Sequence, residues 1–164
     1  MRLIKFLLLG FIALSLSGCV PNMFWDGGKD ITEIIVMKEQ RRLYLMHKKT
    51  VLKSFRIDLG FAPRGHKAVE GDGKTPEGRY VVNRYNPDSK FHLSLGISYP
   101  NNKDRARAQA LGKSPGGDIF IHGQPNKPRR LKKDWTLGCI AVTNEEVEYM
   151  FAQVKRGTPV HIYP

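Results

Sequence analysis

Beyond Asp30 the apolar residues of this chain fall in short β-rich runs separated by turn residues, and that spacing restricts the fold more than any other feature. ITEIIVMK and RRLYLMH are two such runs, joined at Glu39-Gln40 as a hairpin, and TVLKSFRIDLG continues as strand to Gly60. Residues 61–78 are rich in Gly, Pro and charge and form a loop. RYVVNRY and FHLSLGI are further strands; in the second, Phe91, Leu93, Leu95 and Ile97 share one face and His92 and Ser94 the other. Asn101 to Leu111 predicts a short polar helix stopped by SPGGD, and DIFIHG a strand ending at Gly123. Thr143 followed by Glu146 has the pattern of a capping box. Val147, Met150, Phe151 and Val154 then recur at helical spacing, and TPVHIY closes the chain as a strand. The chain has 164 residues, enough for one core and too few for two. The expected fold is a single mainly β domain over residues 31–164, with one or two short helices.

The first 30 residues obey other rules. Arg2 and Lys5 form a positive n-region, and Phe6 to Leu16 is an apolar stretch too short to cross about 30 Å of hydrocarbon. Leu16-Ser17-Gly18-Cys19 then resembles the lipobox of bacterial lipoproteins. The resemblance implies a signal peptide over 1–18, lipid modification of Cys19, and a tether over 19–30. The plainer alternative is an ordinary signal with a chance cysteine. The lipobox reading places the protein in the cell envelope, lipid-anchored and facing the periplasm, with Val20 rather than Asp after the cysteine favouring the outer membrane. Val20 to Asp30, fully extended, reaches roughly 35–40 Å at about 3.3–3.6 Å per residue.

Export changes what the charge means. Without Arg2 and Lys5 the chain keeps 25 Lys and Arg against 15 Asp and Glu, an excess that calls for an anionic partner. Nucleic acid would be that partner in the cytosol. Outside it the candidates are phospholipid headgroups, lipopolysaccharide and peptidoglycan carboxylates, so no nucleic acid is expected. Of two cysteines, Cys19 is consumed by the lipid, which leaves Cys139 alone in an oxidising compartment, where an unpaired thiol is either buried or used.

A nucleophilic thiol needs a base, a group that orients the base, and donors for the oxyanion. Cys139 sits in Trp135-Thr136-Leu137-Gly138-Cys139-Ile140, between a loop and the capped helix. His122 ends a strand, is followed by Gly123, and precedes the cysteine by a loop long enough to fold back. The strand-end IHG, a spacer and then the TLGCI segment resemble the signature of the YkuD-type L,D-transpeptidase catalytic domain. GDGKTPEGRY, NPDSKFHLSLGISYPN and GCIAVTNEEVEYMF resemble its YafK-type branch, over roughly residues 31–163.

The resemblance implies a β sandwich or partly closed barrel and cysteine chemistry on peptidoglycan stem peptides. Carried over, Cys139 is the acylated nucleophile, His122 its general base, and Gly123 the residue whose carbonyl holds the other imidazole nitrogen. Gly138 and Cys139 are the candidates for backbone N–H donors to the oxyanion, and Thr136 and, from the polar face of its strand, His92 are candidates to line the cleft. Leu137 and Ala141 stand where many members have polar residues beside the thiol, which puts the acceptor in question: an amine, or water releasing a peptidoglycan-bound lipoprotein. Lys127, Arg129, Arg130, Lys132 and Lys133 crowd the loop between base and nucleophile. They read either as a solvated run or as a cationic rim that lowers the thiol pKa from about 8.5. No His, Cys, Asp and Glu cluster has metal-ligand spacing, and Gly71-Asp72-Gly73 lacks a following helix, so no metal or other cofactor is expected.

The rival reading is a non-catalytic envelope lipoprotein that grips peptidoglycan without chemistry. The anchor has its own test. Wild-type protein should label with fatty acid and pellet with membranes, and Cys19→Ala should abolish both; equal labelling of the two forms would refute the lipobox reading.

Overall fold

The computed structural model describes residues 28–127 and 130–164. The signal, Cys19, all but the last residues of the tether, and Arg129 of the basic loop lie outside the described residues.

The strands are β1 (Glu33–Met37), β2 (Arg42–His47), β3 (Thr50–Arg56), β4 (Gly78–Ser89), β5 (His92–Ile97), β6 (Phe120–His122), β7 (Ile140–Ala141) and β8 (Pro159–Tyr163). Two helices, α1 (Asn102–Ala110) and α2 (Asn144–Gln153), complete the chain. The strands form one sheet in the order β3-β2-β1-β8-β4-β5-β6-β7. Only β1–β8 and β6–β7 are parallel; the other neighbours are antiparallel.

Period-2 burial explains most of this. Ile34 and Val36 of β1, Leu43 and Leu45 of β2, and Val160 and Ile162 of β8 turn inward, with Ile35, Tyr44 and His161 between them on the more exposed face. They join Val82, Leu95, Ile121, Ile140, Val147 and Met150 in one core. β4 belongs to both halves of the sheet. Gly78–Val81 pair with β8, and residues from Val82 onward pair with β5. The strand runs past the predicted RYVVNRY through Pro87 to Ser89, because a register shift between Asn86 and Ser89 frees that stretch from the ladder.

Both helices start as their sequences require. Asn101 and Asp104 form a capping box on α1, and Thr143 and Glu146 form one on α2. Val147, Met150 and Val154 of the predicted stripe are buried, and Phe151 packs edge-on against Tyr85.

The run read as strand to Gly60 departs from the expectation. β3 ends at Arg56, and Ile57 to Gly60 cross as a strap to the far end of the sheet. Asp58 exchanges backbone bonds with Ala141 at 3.0 and 2.8 Å, and Thr136 N–H donates to the Leu59 carbonyl at 3.1 Å. The sheet does not close into a barrel, since only these isolated bridges join its ends.

The loop over 61–78 is held by a buried cation. Lys38, 2% exposed in the β1–β2 turn, donates to the carbonyls of Gly65 (2.6 Å) and Thr75 (2.9 Å) and to the Glu77 carboxylate (2.7 Å). Burial lowers its pKa, and Glu77 opposes that shift. Lys38→Met should leave these acceptors unpaired and cost about 2–4 kcal/mol. That would appear as a lower urea midpoint at unchanged m; an unchanged midpoint would show that the loop holds without the cation.

Candidate active site

Strand register brings the candidate residues together. In the parallel β6–β7 pair, Ile121 lies beside Ile140 and His122 beside Ala141. Ile121 and Ile140 point into the core with no exposed surface. His122 and Ala141 therefore share the opposite face, and Cys139, two residues before Ala141, falls on that same face. Both open into one cleft of about 680 Å³ that Phe61, Phe91, Trp135, Thr136 and Leu137 also line.

His122 is 3% exposed and fixed on every side. Its Nδ1 lies 2.7 Å from the Gly123 carbonyl oxygen. A carbonyl can only accept, so Nδ1 carries the proton and Nε2 keeps a lone pair. The ring stacks on Phe91 with centroids 4.6 Å apart and meets Trp135 edge-on at 5.6 Å. Its own carbonyl accepts from Val142 N–H at 2.9 Å. Gly123 has no room for a side chain: a Cβ there would sit 2.6 Å from Asn144 Oδ1, the acceptor for Gln124 N–H at 2.8 Å. Asn144, the first residue of α2, thus sets the exit from β6.

Cys139 is half-buried and unpaired. Its Sγ accepts from Phe120 N–H and faces the Asp118 carbonyl as donor, both at 3.4 Å. The turn before it is tied through Thr136, whose hydroxyl donates to the Cys139 carbonyl at 2.8 Å and accepts from Gly138 N–H at 3.1 Å. Gly138 adopts φ +133°, and a Cβ there would meet the Lys74 carbonyl oxygen at 2.7 Å, so only glycine fits.

Burial moves the two groups in opposite directions. It raises the Cys139 thiol pKa above the ordinary range, against the pull of Phe120 N–H and the Lys67 charge. It lowers His122 below the 6.5 of an ordinary imidazole, opposed by Gly123. The resting pair is a neutral thiol beside a neutral base.

Five expectations need correction. His92 does not line the cleft: with φ +68° it turns outward, Nε2 2.5 Å from Glu148 on α2. Its neighbour Phe91, expected on the core face with Leu93, stacks on His122 instead. Gly138 cannot offer its N–H to an oxyanion, because Thr136 already accepts it. That leaves the Cys139 N–H, for which the described residues supply no acceptor. Ala141 is 2% exposed and clamped by the strap, whereas Leu137 stands 79% exposed at the cleft mouth, so only one of the two apolar residues faces an incoming group. Among the described residues of the basic loop, Lys127, Arg130, Lys132 and Lys133, none lines the cleft; Lys67 does, and desolvation is the largest influence on the thiol.

Lys67, Glu70, Phe61 and the strap escaped the sequence reading, because nothing in a Gly- and Pro-rich loop shows which side chains fold back on a distant cysteine. Among the described residues, no group of three His, Cys, Asp or Glu side chains is placed to hold a metal, and no helix is long and apolar enough to cross a membrane.

Comparison with known proteins agrees with this geometry. The L,D-transpeptidase catalytic domain family, YkuD, matches residues 31–162. The chain is 33% identical over 144 residues to YafK of Escherichia coli K12, an L,D-transpeptidase by assignment only; the match covers 80% of this chain and 53% of that protein. The chain thus spans about half the length of this curated relative. Pgp2, a helical cell shape determining protein of Campylobacter jejuni, superposes with a TM-score of 0.60 at 27% identity over 84% of this chain and 52% of its own. A variant of the Enterococcus faecium L,D-transpeptidase shares the fold alone, with TM-score 0.55 at 17% identity over 82% of this chain and 50% of that one.

A neutral resting thiol has a direct readout. Iodoacetamide should alkylate Cys139 at a rate that climbs with pH through and beyond the range of a free cysteine, with no plateau near neutrality. A plateau already reached at pH 6 would mean a preformed thiolate–imidazolium pair and would contradict the neutral assignment.

Proposed function

The chain belongs to the YkuD family of L,D-transpeptidase catalytic domains, and on that premise we propose that it is a peptidoglycan-modifying cysteine enzyme acting on diaminopimelate-containing stem peptides. The observation that carries the reading is the buried His122, its Nδ1 held by Gly123 and its Nε2 open, on the same face as Cys139. A module that only gripped the wall would have no use for a desolvated base aimed into the thiol's cleft.

In this reading the stem peptide displaces water from the cleft, and Nε2 of His122 takes the thiol proton as Sγ attacks the carbonyl at the L-centre of diaminopimelate. The oxyanion forms against the Cys139 N–H. The carbon–nitrogen bond breaks, His122 returns the proton to the leaving amine, and a thioester remains on Cys139. An acceptor then attacks the thioester, with His122 removing its proton and the sulfur leaving as thiol.

We favour water as that acceptor. An incoming amine needs groups to hold it, and its placement is worth several kcal/mol. Leu137 and Phe61, both exposed at the mouth, offer apolar surface and no hydrogen bonds to an amine. Hydrolysis here would trim tetrapeptides or release a peptidoglycan-bound lipoprotein. A lipid on Cys19 would keep the domain beside the periplasmic face of the outer membrane, where that substrate lies. Trimming of stem peptides would also give the chain a part in cell shape, the role for which Pgp2 is named.

Cys139→Ala and His122→Ala should each lower kcat on tetrapeptide muropeptides by at least about 10³-fold, and the double variant should be little worse than either. Because burial lowers His122, the acid limb of kcat/KM should fall below pH 6.5; activity is lost as pH drops through the His122 pKa and the base is protonated. Sacculi carrying bound lipoprotein, incubated with the enzyme, should release it without new diaminopimelate–diaminopimelate cross-links. Cross-links that depend on Cys139 would overturn the choice of water and leave the nucleophile standing, whereas full activity of Cys139→Ala would end the enzymatic reading.

A further inference from the structure

The two walls of the cleft differ in chemistry. One is aromatic and carries the base: Phe91, Trp135 and His122. The other is made where the loop over 61–78 meets the segment after α1, through Glu70 N–H donating to the Ser114 carbonyl at 2.8 Å. That wall brings two opposite charges into the cleft, Lys67 and Glu70.

Lys67 is 3% exposed, an unusual place for an ammonium group. Its Nζ donates to the Val69 carbonyl at 3.1 Å and to Asp72 Oδ1 at 3.0 Å. An ammonium has three donors, so one remains. Asp72 is itself pinned, since the same carboxylate accepts from Ala68 N–H (2.8 Å), Val69 N–H (3.1 Å) and Lys74 N–H (3.0 Å), which hold the ion pair in one place and leave the third ammonium donor without a partner among the described residues. The charge of Lys67 also reaches the Cys139 thiol, which it pulls down against burial. Glu70 is exposed, and its carboxylate has no partner among the described residues. A buried cation with a spare donor and an unpaired carboxylate three residues away form a receptor for a zwitterion.

We propose that Lys67 and Glu70 form a subsite for the free amino-acid end of the diaminopimelate side chain, Lys67 taking its carboxylate and Glu70 its ammonium. This rests on the stem-peptide reading above and adds what that reading lacks, a reason for the acyl donor to be diaminopimelate rather than lysine. A lysine side chain would satisfy Glu70 and leave Lys67 facing an empty site. The wall opposite His122 is where an acyl-side group would lie, since the base must face the leaving amine. Charge-assisted hydrogen bonds of this kind supply discrimination on the order of 10- to 100-fold each.

The test uses three tetrapeptides: one with unmodified meso-diaminopimelate, one with its distal carboxylate amidated, and one with its distal amine acetylated. The wild type should lose about 10- to 100-fold in kcat/KM on either modified peptide. Folded Lys67→Met should be impaired on the unmodified peptide, indifferent to amidation and still sensitive to acetylation. Glu70→Gln should show the reverse pattern. A merely structural role would lower all three rates together. Lys67→Met that discriminates against the amide as the wild type does would overturn the proposal. So would Glu70→Gln, a surface substitution that decides alone if Lys67→Met fails to fold, if it keeps full sensitivity to acetylation. Equal wild-type turnover of all three peptides would remove the subsite alone, and no turnover of any would remove the stem-peptide reading beneath it.

Discussion

The cleft depends on a pairing two residues wide. Because Ile121 and Ile140 both belong to the core, the register of β6 against β7 cannot slip by one without turning a buried isoleucine to solvent: Ile140 if β7 moves, Ile121 if β6 moves, with His122 then turned inward. So short a parallel pair would not persist unaided. It is held from the other end of the chain by the strap, whose Asp58 grips Ala141 on the side that β6 leaves open. The position of the thiol relative to the imidazole is therefore a property of three distant segments at once.

Desolvation sets the electrostatics of the pair. A thiolate–imidazolium pair formed in advance would need solvent or fixed donors to support both charges. Here Phe91 and Trp135 cover the ring, and the sulfur has one backbone N–H and the Lys67 charge on its side. Neutral partners cost less in such a place, and they keep the thiol less open to oxidation, since the reactive species is the thiolate.

Much of this was legible in the sequence, for identifiable reasons. Helix starts are local chemistry, so Thr143 with Glu146 marked α2; α1 was placed from its polar run alone, with its cap Asn101 counted as the first helical residue. Strand faces follow period 2, so Leu95 and Ile97 of FHLSLGI were assigned to one face and both are buried. His122 stood out at a strand end beside Gly123, and Cys139 as an unpaired thiol next to Gly138 between a loop and the capped helix. What failed was non-local or depended on a single dihedral angle. His92 at φ +68° breaks the alternation, so Phe91 lines the cleft and His92 turns outward to Glu148. Gly138 advertised a close approach but not that Thr136 already held its N–H. The strap makes isolated bridges rather than a ladder, so no periodicity announces it.

One feature of the sheet bears on how the domain would carry load. β1 lies between β2 and β8, bonded along both edges, and it is the first strand after the segment that leads into the domain. Tension applied ahead of Glu33 runs along this strand and is met in shear, with rungs on both flanks loaded together instead of peeled one after another. A domain held at its cleft and pulled from residue 31 would deform first in its loops, and the ladder around β1 would be among the last parts to yield.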